Sequence, residues 1–257
     1  MKLSERLCRW IRKRVKETGA TGILVGLSGG LDSAVAAVLA QRSVGDKVLT
    51  LLLPCHSLSQ DERDALLVGD RFQLRRERVD LAPVYDAFLK GLPPAGRMCQ
   101  ANLKPRLRMA ALYYYANRLN YLVMGTGNKS ERIMGYFTKY GDGGVDLNPL
   151  GDLTKTQVRR LASELGIPGR ILDRPPTAGL WEGQTDEQDM NIRYRDLDRI
   201  IEGLERGKEP RASREKVGYV KGMMARSRHK RLCPPVFRLK SGGCHPLREK
   251  AGKPIKI

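Results

Sequence analysis

Between Gly22 and Leu39 the spacing of apolar residues changes period. Ile23, Leu24, Val25 and Leu27 form a run of strand length, Ser28-Gly29-Gly30 interrupts it, and Asp32 to Leu39 resumes as an alanine- and valine-rich helix. Asp46–Leu53 and Tyr121–Gly125 are also nearly unbroken apolar runs, as expected of strands covered on both faces. Arg78–Leu81 reads as a shorter strand. Helical spacing appears at Leu3–Lys16, where Leu7, Trp10, Ile11 and Val15 recur, and at Pro83–Leu89. Ser59-Gln60-Asp61-Glu62 has the form of a capping box and predicts a helix start. After the break at Leu92–Gly96, one long helix is predicted from about Met98 to Arg118.

The strand at Tyr121–Gly125 ends, like the first, in a glycine-containing turn (Gly125-Thr126-Gly127-Asn128) that leads into a short helix. Tyr136 to Asp152 reads as a long ordered loop, a kind of segment that is commonly functional. A second capping box, Thr154-Lys155-Thr156-Gln157, opens a helix with Val158, Leu161, Ala162 and Leu165 on one face, and Gly166 and Pro168 stop it. Arg174 to Asp186 is again loop, helices are predicted at Tyr194–Leu204 and Ser213–Ala225, and Cys233-Pro234-Pro235 ends regular structure. Strands alternating with helices predict right-handed crossovers and an α/β fold: a doubly wound parallel sheet with helices on both faces. Ligands of such sheets lie beyond the carboxyl ends of the strands, so the turns after Leu27, Leu53 and Met124 should converge on one crevice. Residues 1–240 are expected to form one domain and 241–257 a flexible basic tail.

Composition narrows this picture. A chain of 257 residues, 41% hydrophobic and 29% charged, suits a soluble globular protein. No apolar run approaches the roughly 18 residues a membrane helix needs. The basic, amphipathic N-terminus lacks a signal-type apolar core, so a cytoplasmic location is expected. Cys8, Cys55, Cys99, Cys233 and Cys244 form no C-x-x-C pair and read as reduced thiols; Cys233, Cys244 and His245, with His229 upstream, lack the close paired spacing of a zinc site. The net charge is +19, and from Arg206 to Ile257 16 Lys and Arg face 3 acidic residues, so 13 of those charges lie there. Such a field attracts polyanions, although Tyr219 and Phe237 alone are too few aromatics for a stacking platform.

The chemistry begins at SGGLDS (Ser28–Ser33). Strand, Gly-rich turn and helix in that order form an anion site, because the free amides of the helix's first turn point at whatever binds there. No Gly-Lys-Ser/Thr follows, so this is not a Walker loop, and the dinucleotide fingerprint G-x-G-x-x-G is absent too. The string resembles the PP-loop of the ATP pyrophosphatases, an adenine nucleotide alpha hydrolase-like fold. With NLKPRLRM (Asn102–Met109), GTGNKSE (Gly125–Glu131), YFTKYGDGGVDLNPLGDLTKTQV (Tyr136–Val158), PPTAGLWEGQTDE (Pro175–Glu187) and RHKR (Arg228–Arg231), the chain from about residue 5 to 240 is similar to the NAD synthetase family. The extra amidohydrolase domain of glutamine-using members is missing, which implies the ammonia-dependent form.

The resemblance implies a ligase that adenylylates the carboxylate of deamido-NAD with ATP, releases pyrophosphate, and lets ammonia displace AMP to give NAD. Carried over by position, Gly26, Leu27, Ser28, Gly29, Gly30, Leu31, Asp32 and Ser33 would cradle ATP phosphates, with Thr126, Lys155 and Thr177 also on ATP. Asp32 and Glu131 would hold Mg2+, and Lys155 and Asp32 would be catalytic. Arg106, Lys139, Asp146, His229 and Lys230 match positions that bind deamido-NAD. Lys155 is an odd choice at a helix start, where the dipole disfavours cations, and a bound phosphate would resolve the conflict. The resemblance also implies a homodimer, with Leu112, Tyr113 and Tyr114 as interface candidates. Two rivals remain at this level: a PP-loop enzyme acting on tRNA, against which stands the YFTKYGDGG loop, and a basic nucleic-acid-binding protein, against which stand intact Asp32, Glu131 and Lys155.

Overall fold

The computed structural model describes residues 1–181 and 183–237. The basic tail expected at 241–257, with Cys244 and His245, lies outside them. In chain order the elements are α1 (Leu3–Thr18), β1 (Gly22–Gly26), α2 (Leu31–Val44), β2 (Val48–Leu52), α3 (Ser59–Arg71), β3 (Arg76–Arg78), α4 (Ala82–Lys90), α5 (Arg97–Ala101), α6 (Leu103–Leu119), β4 (Tyr121–Met124), α7 (Lys129–Met134), α8 (Lys155–Leu165), α9 (Gly169–Leu172), α10 (Asp186–Asp189), α11 (Tyr194–Glu205), α12 (Arg214–Arg226) and α13 (Arg228–Arg231).

All four strands run parallel in the order β3-β2-β1-β4, with Ile23 beside Val48 on one side and beside Leu122 on the other. Strand alternation sends Ile23, Val25, Val48 and Leu52 to one face, under α1, α2, α3 and α8. Leu24, Leu49, Leu51 and Val123 go to the other, under α4 and α6. A third apolar cluster joins α7, α11 and α12 around Met134, Tyr194, Leu197 and Val220. Full burial of each Leu, Ile or Val contributes roughly 1.5–3 kcal/mol, so a sheet covered on both sides is where most of the driving force sits. Because β1 has β2 on one flank and β4 on the other, the chain reverses its winding direction there. The carboxyl end of β1 is therefore a topological switch point.

The doubly wound sheet is as expected, and four local readings differ. The predicted long helix is interrupted at Asn102: Pro105 has no N–H and its ring would collide with the Ala101 carbonyl in a continuous helix, so it sits in the first turn of α6 instead. Ser59 does not cap α3; Leu58 holds the cap position without a side-chain bond, and the Ser59 hydroxyl accepts from Arg63. The third strand lies at Arg76–Arg78, two residues earlier than the apolar content of Val79 and Leu81 suggests, because its register is set by pairing Thr50, Leu51 and Leu52 of β2. On α1, Cys8 joins Ile11 and Val15 in the core, while Trp10 is exposed and stacks under Arg14.

At the start of β1 the backbones crowd. A Cβ on Gly22 would lie 2.3 Å from the Lys47 carbonyl oxygen and 2.5 Å from the Tyr121 ring. Gly22→Ala should therefore cost about 1–3 kcal/mol of unfolding free energy in urea melts; an unchanged midpoint would show that the strand ends tolerate separation.

Candidate active site

The carboxyl ends of β1, β2 and β4 open onto a cavity of about 650 Å³. The turns after Leu27, Leu53 and Met124 all line it, as the parallel topology requires. At its floor the SGG turn is held by its own side chains. Ser33 Oγ accepts the Ser28 amide at 3.2 Å and donates to the Gly30 carbonyl at 2.9 Å. Gly29 has φ +81°, and a Cβ there would meet the Asp61 carbonyl oxygen at 2.2 Å, so both its conformation and its packing demand glycine. Gly30 then begins α2 with no side-chain cap, which leaves the first amides of the helix free to face an anion.

Beside this turn a single ammonium gathers carboxylates from separate elements. Lys155 Nζ, at the first position of α8, bonds Asp32 Oδ2 of α2 and lies 3.2 Å from Glu131 Oε1 of α7. Asn128 Nδ2 donates to the other Asp32 oxygen at 3.2 Å. Asn128 also caps α7 in a reciprocal box with Glu131: each side chain accepts the other's amide, at 3.0 and 3.1 Å. The Tyr194 hydroxyl of α11 donates to Asp186 Oδ2 at 2.8 Å, and its ring lies under Lys155 Nζ at 5.1 Å. Buried Asp198 accepts the Ser130 hydroxyl and the Thr156 amide, and Ser130 Oγ accepts the Lys155 amide at 3.0 Å, which completes the start of α8. The expected Thr154–Gln157 box is present as well. The misfit of a lysine at a helix start is thus met within the protein by carboxylates.

Three carboxylates against one ammonium leave the node short of positive charge. Burial pushes the Glu131 carboxyl up to about 8; Lys155 opposes the rise while Asp32 and Asp186 add to it. Burial likewise raises Asp186, against the pull of Lys155 and the Tyr194 hydroxyl. Burial disfavours the Lys155 charge, but Asp32, Glu131 and Asp186 outweigh it and hold that ammonium well above its ordinary range. Asp186 Oδ1 is buried without a hydrogen-bond partner. No group of three His, Cys, Asp or Glu side chains among the described residues is arranged to hold an ion as it stands. Even so, the donor set suits a hard cation: carboxylate oxygens in excess, one of them an orphan.

Of the residues singled out from sequence, Gly26, Leu27, Ser28, Gly30, Leu31, Asp32, Ser33, Thr126, Glu131, Lys155, Thr177 and Lys230 line the cavity, and Gly29 lies beneath it against α3. Arg106, Lys139, His229 and Lys230 come together around the loop that follows Gly135, which borders the same cavity and reaches it through Lys230. Arg106 donates to the Lys139 carbonyl at 3.4 Å, Lys139 to the His229 carbonyl at 3.0 Å, and Lys230 to the Gly135 and Phe137 carbonyls at 2.8 and 2.9 Å. These cations spend their bonds on carbonyl oxygens, and Asp142 of the same loop is the carboxylate whose charge acts on Lys230. Asp146 stands apart from it, accepting the Tyr113 hydroxyl at 2.9 Å and the Val123 amide at 2.8 Å. Sequence reading missed Asn128, Ser130, Asp186, Tyr194 and Asp198. The Asn-x-x-Glu form of Asn128–Glu131 was a usable signal for the first.

A family model described as NAD synthase matches residues 3–234. The NH(3)-dependent NAD(+) synthetase of Carboxydothermus hydrogenoformans is 46% identical over 238 residues, covering 91% of this chain and 96% of that one. Among solved structures, the NMN synthetase of Francisella tularensis superposes with a TM-score of 0.85 at 38% identity, over 92% of this chain and 98% of that one. The NH3-dependent NAD synthetase of Campylobacter jejuni superposes with a TM-score of 0.81 at 29% identity, over the same shares.

A carboxyl raised by folding stabilises the fold fully below its unfolded value and loses that contribution as pH climbs through the folded one. For Glu131 the window runs from about 4.5 to about 8, and Lys155, raised from 10.5, does not titrate within it. Melting in EDTA should therefore fall as pH is raised through this window. Added Mg2+ should stabilise more at the alkaline end, and Glu131→Gln should flatten the profile. A melting temperature that is level or rises with pH would contradict the arrangement.

Proposed function

The chain belongs to the NAD synthase family, and from that premise we propose how its cavity carries out ammonia-dependent NAD synthesis. The reaction is that of a ligase forming a carbon–nitrogen bond, with ATP as co-substrate. A carboxylate is a poor electrophile, so the nicotinate oxygen of deamido-NAD is first joined to the α-phosphate of ATP. Pyrophosphate leaves, and ammonia then displaces AMP. The observation that carries this reading is the charge node of Asp32, Glu131 and Lys155 beside a turn with free helix amides.

Gly26 to Ser33 hold the departing pyrophosphate through backbone amides, and Thr126 and Thr177 bind the same nucleotide. Asp32 and Glu131 would hold Mg2+, which supplies charge neutralisation at the phosphates when bound. Lys155 is then partly released from its carboxylates and presents its ammonium to the phosphate oxygens as negative charge shifts during transfer. Arg106, Lys139, His229 and Lys230 receive the phosphates of deamido-NAD, and Asp146, already fixed by Tyr113, accepts a ribose hydroxyl. The walls of a cavity this deep exclude water from the adenylate.

The exposed apolar side chains of Val84, Phe88 and Tyr114 on α4 and α6 support a homodimer. The cytoplasm is the proposed location; no helix among the described residues is long and apolar enough to cross a membrane. The likeness to an NMN synthetase supports a second substrate reading, in which nicotinate mononucleotide offers the same pyridine carboxylate.

Incubation with ATP, Mg2+, ammonium and deamido-NAD should give NAD, AMP and pyrophosphate in equal amounts, with nicotinate mononucleotide assayed in parallel. Release of ADP would contradict adenylylation, and a higher kcat/KM on the mononucleotide would transfer the assignment to it. Lys155→Met should lower kcat by about 10²–10³, as loss of a charged group facing the transition state does. His229→Ala should chiefly raise KM for the dinucleotide, and an unchanged KM would remove it from the site.

A further inference from the structure

Residues 174–181 span the cavity as a strap fastened at both ends. At one end the Arg174 guanidinium forks onto α3, bonding Asp61 and, at 2.9 Å, Asp64 Oδ2. At the other end Lys104 Nζ of α6 donates to the Leu180 carbonyl at 2.9 Å, and the Arg97 guanidinium of α5 stacks 4.4 Å from the Trp181 ring centroid. Between these anchors Pro175, Pro176 and Thr177 line the cavity. Two consecutive prolines fix two φ angles, so a displacement of Arg174 is passed along the chain to Thr177 with little slack. The Thr177 hydroxyl accepts the Gly179 amide at 3.1 Å, which sets the turn that follows.

The forked end is built from well-fixed groups. Asp64 is 1% exposed, forms an ion pair with Arg170 Nε at 3.0 Å and accepts from Gln60 Nε2 at 2.6 Å. Asp61 lies against the SGG turn through its main-chain carbonyl, and its carboxylate lines the same cavity, beside Gly179 of the strap. A carboxylate there would repel phosphates bound at the turn unless a cation neutralised it, and Arg174 is that cation. We propose that Arg174 is a positioning residue for the nucleotide: its fork onto Asp61 and Asp64 screens the turn from α3's acidic start and fixes the strap that presents Thr177. This rests on the reading that ATP phosphates bind at the SGG turn.

Trp10 and Trp181 are the two tryptophans of the chain, so Trp10→Phe leaves Trp181 as the sole emitter. In that background Arg174→Gln should raise KM for ATP about 10-fold, with kcat and KM for deamido-NAD within about twofold, as expected when binding geometry alone is lost. Acrylamide quenching of Trp181 should rise in the same variant, ATP should suppress quenching in the parent, and Arg174→Lys should restore part of both. An unchanged KM for ATP, an equal rise for both substrates, or unaltered quenching would overturn the proposal. Should Arg174→Gln fail to fold, Lys104→Met loosens the opposite anchor and must raise Trp181 quenching; no change there would also overturn it. Quenching needs no turnover. A parent chain that forms no NAD while ATP still shields Trp181 would refute the assigned reaction and leave the strap standing.

Discussion

A buried ammonium that must not be left alone governs this structure. Lys155 is 4% exposed and sits at the positive end of a helix, where both burial and the dipole act against its charge. It persists because Asp32 from α2 and Glu131 from α7 converge on it, with Asp186 from α10 close enough to add its field. Removing one side of such a pair typically costs about 3–5 kcal/mol, more than any single apolar contact around it. The node therefore ties the sheet's switch point to the C-terminal helices: α2 lies on the sheet core, while α7 and α11 belong to a separate apolar cluster. The excess of carboxylates that makes the node stable around a lysine also makes it receptive to a second cation.

The fold was legible in sequence wherever one physical signal dominated. Strands covered on both faces gave continuous apolar runs, so β1, β2 and β4 were visible; β3, an edge strand of Arg-Glu-Arg, offered charge where a strand reader looks for β-branched residues. The interruption at Asn102 was written in Pro105, and the pull of helical spacing on either side hid it. The SGG turn and the Thr154 cap were local features and could be read as such. Asp198 and Tyr194 could not, because their meaning depends on partners 68 and 63 residues away. Glu131 was legible by resemblance only, although the same residue carries a local role as the capping partner of Asn128.

Lys155 is the instructive residue. A lysine at a helix start predicts an anion, and that inference holds. The protein supplies one itself in Asp32 and Glu131, since a buried ammonium cannot be left uncompensated. On the reading proposed above, carboxylates that hold the lysine would become available to a cation once nucleotide binds, so one set of groups would serve two charge states of the cavity.

Charge is partitioned along the loop that starts at Tyr136, and the partition answers the difficulty of bringing two polyanions together. The Tyr136 hydroxyl donates to Asp189 at 2.8 Å on the acidic side, while the next residue, Phe137, gives its carbonyl to Lys230 at 2.9 Å on the basic side. Adjacent residues thus touch the half of the site short of positive charge and the half that has it in surplus. Arg106, Lys139 and Lys230 hold each other's segments through carbonyl oxygens, so the loop is fixed with Asp142 as the carboxylate set against Lys230. Had those bonds been made to carboxylates, the local structure would be as firm and the field would be gone. The same loop joins both halves structurally: Gln184, two residues before Asp186, donates to the Tyr136 hydroxyl at 3.3 Å and to Asp189, three residues after Asp186, at 2.7 Å.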